Sequence, residues 1–246
     1  MNRLYLAWQE PSTRKWLPVG MLSFDGKLYR FSYTRGASES SIFEPFPKMK
    51  RLEEVYESEE LFPLFSNRLL TKTRPEYNDF LSWLKMDKSE QNQLKMLALT
   101  GAARATDSLE MFACPSPTAD GNYEISFFSH GISHLDKYVI EKVNGLDPGG
   151  RLFIMHDLQN SYDFKALALR TSDPMTIVGY CPRYLDDDVH KLISLCDPQT
   201  ITMKVEQVNR QAPLQLRLLC RLVAPWPAGF EPCSSPLYQP IVASGK

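Results

Sequence analysis

A polar loop between two predicted strands carries the residues that could do chemistry. The run RLFIMHD is followed by LQNSYDF and then by ALALR. The polar and aromatic side chains of this loop are Asp157, Gln159, Asn160, Tyr162 and Asp163. Amides and carboxylates can bond a ribose hydroxyl or a base edge, a tyrosine ring can stack on a base, and Arg183 further along offers a fork for a phosphate. The pattern therefore fits a nucleotide site, but it also fits a structural loop, because Asn and Asp often cap turns.

The other reactive residue types give no pattern of a catalytic or metal site. The run Asp186-Asp187-Asp188 begins a predicted helix, where consecutive side chains point in different directions and cannot chelate one ion together. Negative charge at a helix N-terminus accounts for them. No His forms H-E-x-x-H, and the sequence has no G-x-S-x-G element. We therefore predict a protein that is not an enzyme and has neither a cofactor nor a metal site.

Composition and charge exclude several classes of protein. The 246 residues include 28 basic and 29 acidic side chains, which disfavours broad electrostatic coating of duplex nucleic acid. No apolar stretch approaches the roughly 20 residues that cross a bilayer, and the first residues lack a secretory signal. The five cysteines are odd in number and have no C-x-x-C spacing. These features predict a cytoplasmic protein with reduced thiols, no zinc site and no membrane partner.

The elements that must position the polar loop form a predicted second domain, residues 121–225. A strand is expected over residues 123–131 and a helix over 134–145, followed by the strands RLFIMHD, ALALR and TIVGYCP. A helix over residues 184–196 and the strands ITMKVEQV and LQLRLLCRLVA complete this part. Many short strands with two inserted helices predict an α+β fold, mainly β, built on a small β-barrel with helical insertions.

A smaller α+β module is predicted for residues 1–115. The pair Asp25-Gly26 lies between two β-favouring runs and predicts a hairpin with an aromatic core face. Helices are predicted over residues 55–70, 76–86 and 89–100, the last ended by Gly101, and a strand over 107–113. The proline-rich residues 226–246 predict a strap whose Trp226, Phe230 and Tyr238 pack on a neighbouring domain. An alternative is a free binding tail.

Residues 123–225 resemble a HIRAN domain. The family pattern includes D-P-N-N-P-Y-D-x-N-A-I and, later, V-G-x-x-P/K-x-x-L, and the corresponding runs here are DLQNSYDFKALAL and VGYCPRYL. The matching positions are Asp157, Asn160, Tyr162, Asp163, Ala166, Val178, Gly179 and Leu185. Gln159 replaces the first Asn of the pattern, Leu158 and Ser161 replace the prolines, and Lys165 replaces the later Asn.

The resemblance implies an OB-like barrel that binds single-stranded DNA at its 3′ end. By position, Asp163 would accept a hydrogen bond from the terminal 3′-hydroxyl, and Tyr162 and His134 would contact the terminal bases or sugar. Gln159 and Asn160 would hydrogen-bond the end, and Tyr180 and Arg183 would meet the phosphates. Asp157 also matches the motif. Ser133 and His134 stand where an arginine and a tyrosine are found in the family, which lowers the expected affinity.

The first segment resembles the N-terminal subdomain of HipA-type kinases, through VGMLSFDGKLYRFSY, ELFPLFSNRLL and MLALTGAARATDSLEMF. The catalytic core of such kinases has no counterpart here, so this resemblance implies contact with a HipA-like kinase or another defence or repair protein. The sequence thus gives two hypotheses. The first is a non-catalytic DNA-binding protein that binds 3′ ends. The alternative is an interaction subunit of a HipA-like toxin-antitoxin or phage-defence system.

Overall fold

The chain folds into two compact units. The computed structural model describes residues 3–87, 92–104 and 106–242. The described residues of Met1–Arg74, Gln91–Cys114 and Cys233–Lys246 form the first unit, and those of Pro75–Glu90 and Pro115–Pro232 form the second. This division differs from the predicted bounds in two places: the segment around residues 75–87 belongs to the second unit, and the C-terminal strap is divided between the units.

The first unit is built on one antiparallel sheet. Its strands are β1 (Arg3–Gln9), β2 (Trp16–Phe24), β3 (Tyr29–Tyr33), β4 (Val55–Ser58) and β5 (Leu109–Phe112), in the order β4-β3-β2-β1-β5. The predicted hairpin joins β2 and β3. Asp25 Oδ1 accepts from the backbone N–H groups of Lys27 and Leu28, at 2.9 and 2.8 Å, and Gly26 takes a φ of 102°. Phe31 and Tyr33 are fully buried, which confirms the aromatic core face.

The prediction of a helix over residues 55–70 is wrong. Residues Val55–Ser58 are the edge strand β4, paired with β3 through Phe31 and Tyr56, and only Pro63–Ser66 form a short helix, α1. Pro63 lacks an N–H and is tolerated in the first turn of a helix but not in its interior, so a helix cannot run through it from residue 55. Pairing with the neighbouring strand therefore decides the structure of residues 55–58.

The other helix of the first unit, α3, spans Gln93–Thr100. Asn92 caps its start by accepting from the backbone N–H of Lys95 at 3.1 Å, and Gly101 ends it with a φ of 65°. The predicted end at Gly101 is confirmed, whereas residues 89–91 of the predicted start lie outside the described residues. Strand β5 confirms the strand expected near residues 107–113.

In the described residues, the second unit is a curled six-stranded sheet with three α-helices. Its elements in chain order are α2 (Tyr77–Trp83), β6 (Asn122–Phe128), α4 (Lys137–Asn144), β7 (Arg151–His156), β8 (Leu167–Arg170), β9 (Ile177–Tyr180), α5 (Asp186–Leu195), β10 (Thr202–Val208) and β11 (Leu218–Pro225). The strand order is β6-β11-β10-β7-β8-β9, and every pair is antiparallel. Each strand predicted in this half is present, and so are both predicted helices.

The two edges of this sheet meet just beyond the end of β6. His130 and Tyr180 exchange both backbone hydrogen bonds at 2.9 Å, so the chain that continues from β6 pairs with β9. The concave side is filled by apolar side chains from all six strands, among them Tyr123, Leu152, Leu169 and Val205. Helix α5 adds Val189 and Leu192 to this core. The unit is therefore strand-rich and curled into a half-barrel, in line with the predicted barrel.

The strap packs its three aromatic residues. Trp226 and Phe230 lie against Tyr123 of the second unit, with ring centroids 6.1 and 5.8 Å from that ring. Tyr238 lies in the first unit, with its ring 4.9 Å from that of Tyr5. The described strap residues are thus bound along the fold rather than forming a free tail, and residues 243–246 lie outside the described range. None of the helices in the described ranges combines the length and apolar character that crossing a membrane requires.

The prediction that all cysteines are reduced is wrong for two of them. Cys114 and Cys233 form a disulfide, with Cα atoms 6.2 Å apart, while Cys181, Cys196 and Cys220 are free thiols. The pair is separated by 119 residues, so its closeness arises from the tertiary fold and has no local sequence signature. Burial raises the pKa of the Cys181 and Cys220 thiols, which suits a structural role for both.

Thiol counting tests this bond directly. We expect the unreduced, denatured protein to react with a thiol reagent at three of its five cysteines, and at all five after reduction. In the Cys114→Ser variant, Cys233 loses its partner, so all the remaining cysteines should react without reductant. Five reactive thiols in the unreduced protein would contradict the disulfide.

Candidate functional site

The loop between β7 and β8 is a closed turn held by its own backbone. Asp157 N–H donates to the carbonyl of Ala166 at 2.9 Å, which extends the pairing of the two strands by one step. Asn160 N–H donates to the carbonyl of Asp157, and Ala166 N–H to that of Asp163, both at 3.1 Å. Residues 157–166 therefore form a loop whose backbone is held by its own hydrogen bonds.

Asn160 organises this loop from inside. Its Oδ1 accepts from the backbone N–H groups of Tyr162 and Asp163, both at 3.0 Å, and its Nδ2 donates to Asp157 Oδ2 at 3.0 Å. The same Asp157 oxygen accepts from the Tyr180 hydroxyl at 3.1 Å. Burial and this bond raise the pKa of Tyr180, so its hydroxyl stays protonated and connects the loop to β9.

Asp163 fixes the far side of the loop. Its Oδ1 accepts from the backbone N–H of Lys165 at 3.0 Å, and its Oδ2 pairs with Arg183 Nε at 3.1 Å. Arg183 also donates from Nη2 to the carbonyl of Tyr162 at 3.3 Å. The guanidinium group thus bonds two consecutive residues of the loop to the turn that precedes α5.

Asp186 lies beneath Asp163 and is protonated at neutral pH. The residue is only 4% exposed, and its Oδ1 has no hydrogen-bond partner. Burial raises the pKa of this carboxyl to about 9, with a further contribution from the charge of Asp163 and a hydrogen bond to it, partly offset by Arg183. The protonated acid therefore donates to Asp163. This corrects the expectation that all three aspartates act as negative charge at the helix start.

The neighbours of Asp186 behave differently. Asp187 is exposed, and its Oδ1 pairs with Lys165 Nζ at 2.6 Å, whereas Asp188 is buried. His190 Nε2 donates to the carbonyl of Lys165 at 3.0 Å, and His156 Nε2 donates to that of Phe164 at 2.8 Å. Helix α5 and the end of β7 thus hold the second half of the loop through its backbone.

The apolar side chains of the loop point into solvent although its backbone is held. Tyr162 is 76% exposed, Leu158 76% and Phe164 74%. Because the backbone is already ordered, stacking of a planar group on these rings would cost only the ordering of the side chains and not that of the loop. The loop therefore presents two rings ready for contact, and Phe164 was missed by the sequence motif.

The remaining predicted residues lie near Tyr180 and in the loop. Ser133 and His134 are the exposed residues of a turn, Ile132–His134, that closely follows the pairing of His130 with Tyr180. Gly131 begins this turn with a φ of 76°, and a Cβ on it would lie 3.3 Å from the Tyr180 ring, which places the turn beside that ring. Gln159 is exposed within the loop.

The structure thus joins six of the predicted residues into two bonded groups, which Asn160 links through its bonds to the Tyr162 and Asp163 N–H groups. Asp157, Asn160 and Tyr180 form one group, and Tyr162, Asp163 and Arg183 form the other. Sequence reasoning missed the positioning residues Asp186, His156 and His190. Only the spacing of Asp186 after V-G-x-x-P could have pointed to it, because the two histidines act on backbone carbonyls and need no sequence partner.

No metal centre accompanies these groups in the described part of the chain. Within residues 3–87, 92–104 and 106–242, no three His, Cys, Asp or Glu side chains are arranged to hold a metal ion. The side chains of the loop themselves offer hydrogen bonding, ion pairing and stacking.

Comparison with known proteins supports the resemblance found in the sequence. Residues 122–227 match the HIRAN domain family. Two crystal structures are similar in part. The first is a protein from Lactobacillus plantarum, 18% identical, which covers 42% of this chain and 96% of its own, with a TM-score of 0.31. The second is the HIRAN domain of human HLTF, 13% identical, which covers 43% of this chain and 80% of its own, with a TM-score of 0.31.

No curated protein sequence is significantly similar to the chain. The prediction of a HIRAN domain in the second half is confirmed by the family match. The predicted resemblance of the first segment to the HipA subdomain, and the HipA-like partner that it implies, stay predictions.

Proposed function

We propose that this protein is a non-catalytic, cytoplasmic nucleic-acid-binding protein, and that its HIRAN region binds single-stranded DNA at the 3′ end. The observation that carries the proposal is the pair of exposed rings, Tyr162 and Phe164, on a loop whose backbone is fixed by Asn160, Arg183 and two histidines. Stacking of a base on an aromatic side chain contributes roughly 1–3 kcal/mol, and every base has a face that can stack.

The bonding of Asp163 supports recognition of a terminal hydroxyl. A carboxylate has about four lone-pair positions. Three of those on Asp163 accept from Lys165 N–H, from Arg183 Nε and from Asp186. The side chain is still 16% exposed, so one position remains for a hydroxyl donor from solvent. A 3′-phosphate offers no such donor and would bring negative charge close to Asp163.

The balance of charge supports binding of an end rather than coating of a duplex. The chain carries 28 basic and 29 acidic residues, so its net charge attracts no polyanion over a long range. Recognition must then come from a few contacts at one place, as stacking and a hydroxyl bond would supply.

The test measures fluorescence anisotropy of short single-stranded DNA with a 3′-hydroxyl or a 3′-phosphate. We expect the hydroxyl end to bind more tightly, and Tyr162→Ala to weaken binding about 5- to 150-fold, the equivalent of roughly 1–3 kcal/mol. Tyr138→Ala is the matched control, because Tyr138 is a comparably exposed tyrosine, at 64%, on helix α4. Equal affinity for both ends would reject end recognition, and equal losses in the two variants would reject the loop as the site.

A further inference from the structure

A strip of basic side chains lies on the convex side of the second unit's sheet. Side chains alternate between the two sides of a strand, so Leu152, Leu169 and Met203 face the core while their neighbours face outward. The outward residues at the centre of the strip are Arg151 and Phe153 of β7, Arg170 of β8 and Lys204 of β10. We call these four residues the basic strip.

Strand register brings the four side chains together. Lys204 pairs directly with Arg151, and Phe153 pairs directly with Arg170. Cross-strand neighbours lie about 5 Å apart, and residues two apart on a strand about 7 Å. The Phe153 ring centroid lies 5.1 Å from Arg151 Cζ and 4.9 Å from Arg170 Cζ. The ring therefore holds two guanidinium groups close to one another by cation–π contact.

The cations of the basic strip are not neutralised by carboxylates. Among the residues that the structure describes, no salt bridge involves Arg151, Arg170 or Lys204. The nearby acidic side chains on the same sheet have other partners. Glu124 pairs with Arg221 at 2.7 Å, and Glu206 bonds Ser126 Oγ at 2.5 Å and Lys85 at 3.4 Å. The strip is thus locally positive on a chain of nearly zero net charge.

The position of the strip relates it to the loop of the candidate site. Strand β7 runs from Arg151 to His156 and continues directly into the loop at Asp157. Six residues of strand span about 20 Å. If the 3′ end of a single-stranded DNA is held at the loop, the preceding nucleotides could follow the outward side of β7 towards Arg151. Barrels that bind single strands have sites of about 4–16 nucleotides, longer than a terminal contact alone.

We propose that the basic strip binds the phosphates of nucleotides that precede the captured end. The occupant is a single strand of nucleic acid, because three neighbouring cations without a carboxylate partner complement a chain of phosphates, and the aromatic ring keeps two of them in place. This inference rests on the proposed function: the loop sets where the end lies, and the strip sets how much of the strand is held.

The experiment compares two lengths of single-stranded DNA, three and ten nucleotides, both with a free 3′-hydroxyl. The proteins are the wild type, Arg151→Gln/Lys204→Gln, and the control Lys27→Gln/Lys137→Gln, which removes the same charge from exposed positions elsewhere. Anisotropy is measured over a range of NaCl concentrations. We expect the wild type to bind the longer DNA more tightly, and the strip variant to lose most of that gain without a change for the trinucleotide.

Salt dependence gives a second readout. Each phosphate contact on a single strand contributes about 0.7 to the slope of log K against log salt. Losing two cations should therefore reduce the slope for the ten-nucleotide DNA by about 1.4, with no reduction in the control. Both residues are exposed, so the melting temperature should be unchanged; should the double variant fail to fold, Lys204→Gln alone is expected to give half the reduction in slope.

The outcomes separate this inference from the proposed function. If the trinucleotide binds and the strip variant keeps both the length gain and the slope, the strip is rejected while end capture stands. If the trinucleotide fails to bind but the longer DNA binds in a strip-dependent way, the strip binds single strands by itself, and both end capture and the extension of a captured strand along the strip are rejected. If neither DNA binds the wild type, both are rejected.

Discussion

Replacing Gly179 with alanine is expected to destabilise the second unit by about 3 kcal/mol or more. A Cβ at this position would collide with Ser129 Oγ and lie 2.7 Å from the carbonyl oxygen of His130. The φ of 131° adds backbone strain, because side chains with a Cβ rarely adopt it. The clash cannot relax easily, since His130 is bonded on both sides to Tyr180 at 2.9 Å. Denaturant unfolding followed by tryptophan fluorescence measures the loss.

Gly149→Ala is the matched control for this change. Gly149 also has a positive φ, 84°, but a Cβ there would have no atom within 4 Å. Its replacement should therefore cost only the backbone strain, about 1–2 kcal/mol. The difference between the two variants measures the close contact that joins the two edges of the sheet. Equal costs would show that the contact at Gly179 is not tight.

Replacing Asp186 with asparagine is expected to stabilise the protein at neutral pH by on the order of 3 kcal/mol. The pKa of this carboxyl is about 9 in the folded protein against an ordinary value of 3.8, chiefly through burial. Between these values the unfolded chain releases a proton that the folded protein keeps, so the carboxyl's contribution to stability falls as the pH rises, until it levels off above about 9. Asparagine has no proton to lose, and its Nδ2 can still donate to Asp163.

The measurement is the free energy of unfolding of the variant minus that of the wild type, from pH 4 to pH 10. The difference should be near zero at the acid end, grow with pH, and become constant above about pH 9. Asp187→Asn serves as the control, because this exposed aspartate pairs with Lys165 at the surface and contributes least to the raised pKa of Asp186, so it should change stability by less than about 1 kcal/mol. A difference that does not vary with pH would show that Asp186 is ionised in the folded protein.

Local signals in the sequence predicted most of the strands and helices. Asp25-Gly26 specifies a hairpin turn through its own side chain and backbone, and Gly101 ends a helix through its positive φ. Such features act over a few residues and can be recognised without the fold. Residues 55–58 show the limit, because their pairing with β3 comes from the tertiary structure. The disulfide between Cys114 and Cys233 depends on a closeness across 119 residues that no spacing rule contains.

The structure shows how the residues of the candidate site are bonded, whereas their predicted roles in binding stay predictions. The motif placed Asp157, Asn160, Tyr162 and Asp163 in one loop, and the structure shows them there. The motif does not reveal that the Asn160 side-chain oxygen accepts from two backbone N–H groups. Nor does it reveal that a protonated Asp186 donates a hydrogen bond to Asp163. These facts depend on burial, which the pattern of residue types along the loop does not reveal. The basic strip was not predicted from the sequence either, because only the pairing of β7 with β10 brings Lys204 beside Arg151.

The disulfide also suggests how the second unit could be grafted or circularly permuted. The segment of residues 115–232 begins directly after Cys114 and ends directly before Cys233, and the Cα atoms of these two cysteines are 6.2 Å apart. A segment with neighbouring ends can be grafted into a surface loop of a host protein, or its ends can be joined and new termini opened elsewhere. Because α2 belongs to the second unit and its carbonyls accept from Gln207 and Asn209, a graft would have to supply residues 75–87 as a separate piece or lose these bonds.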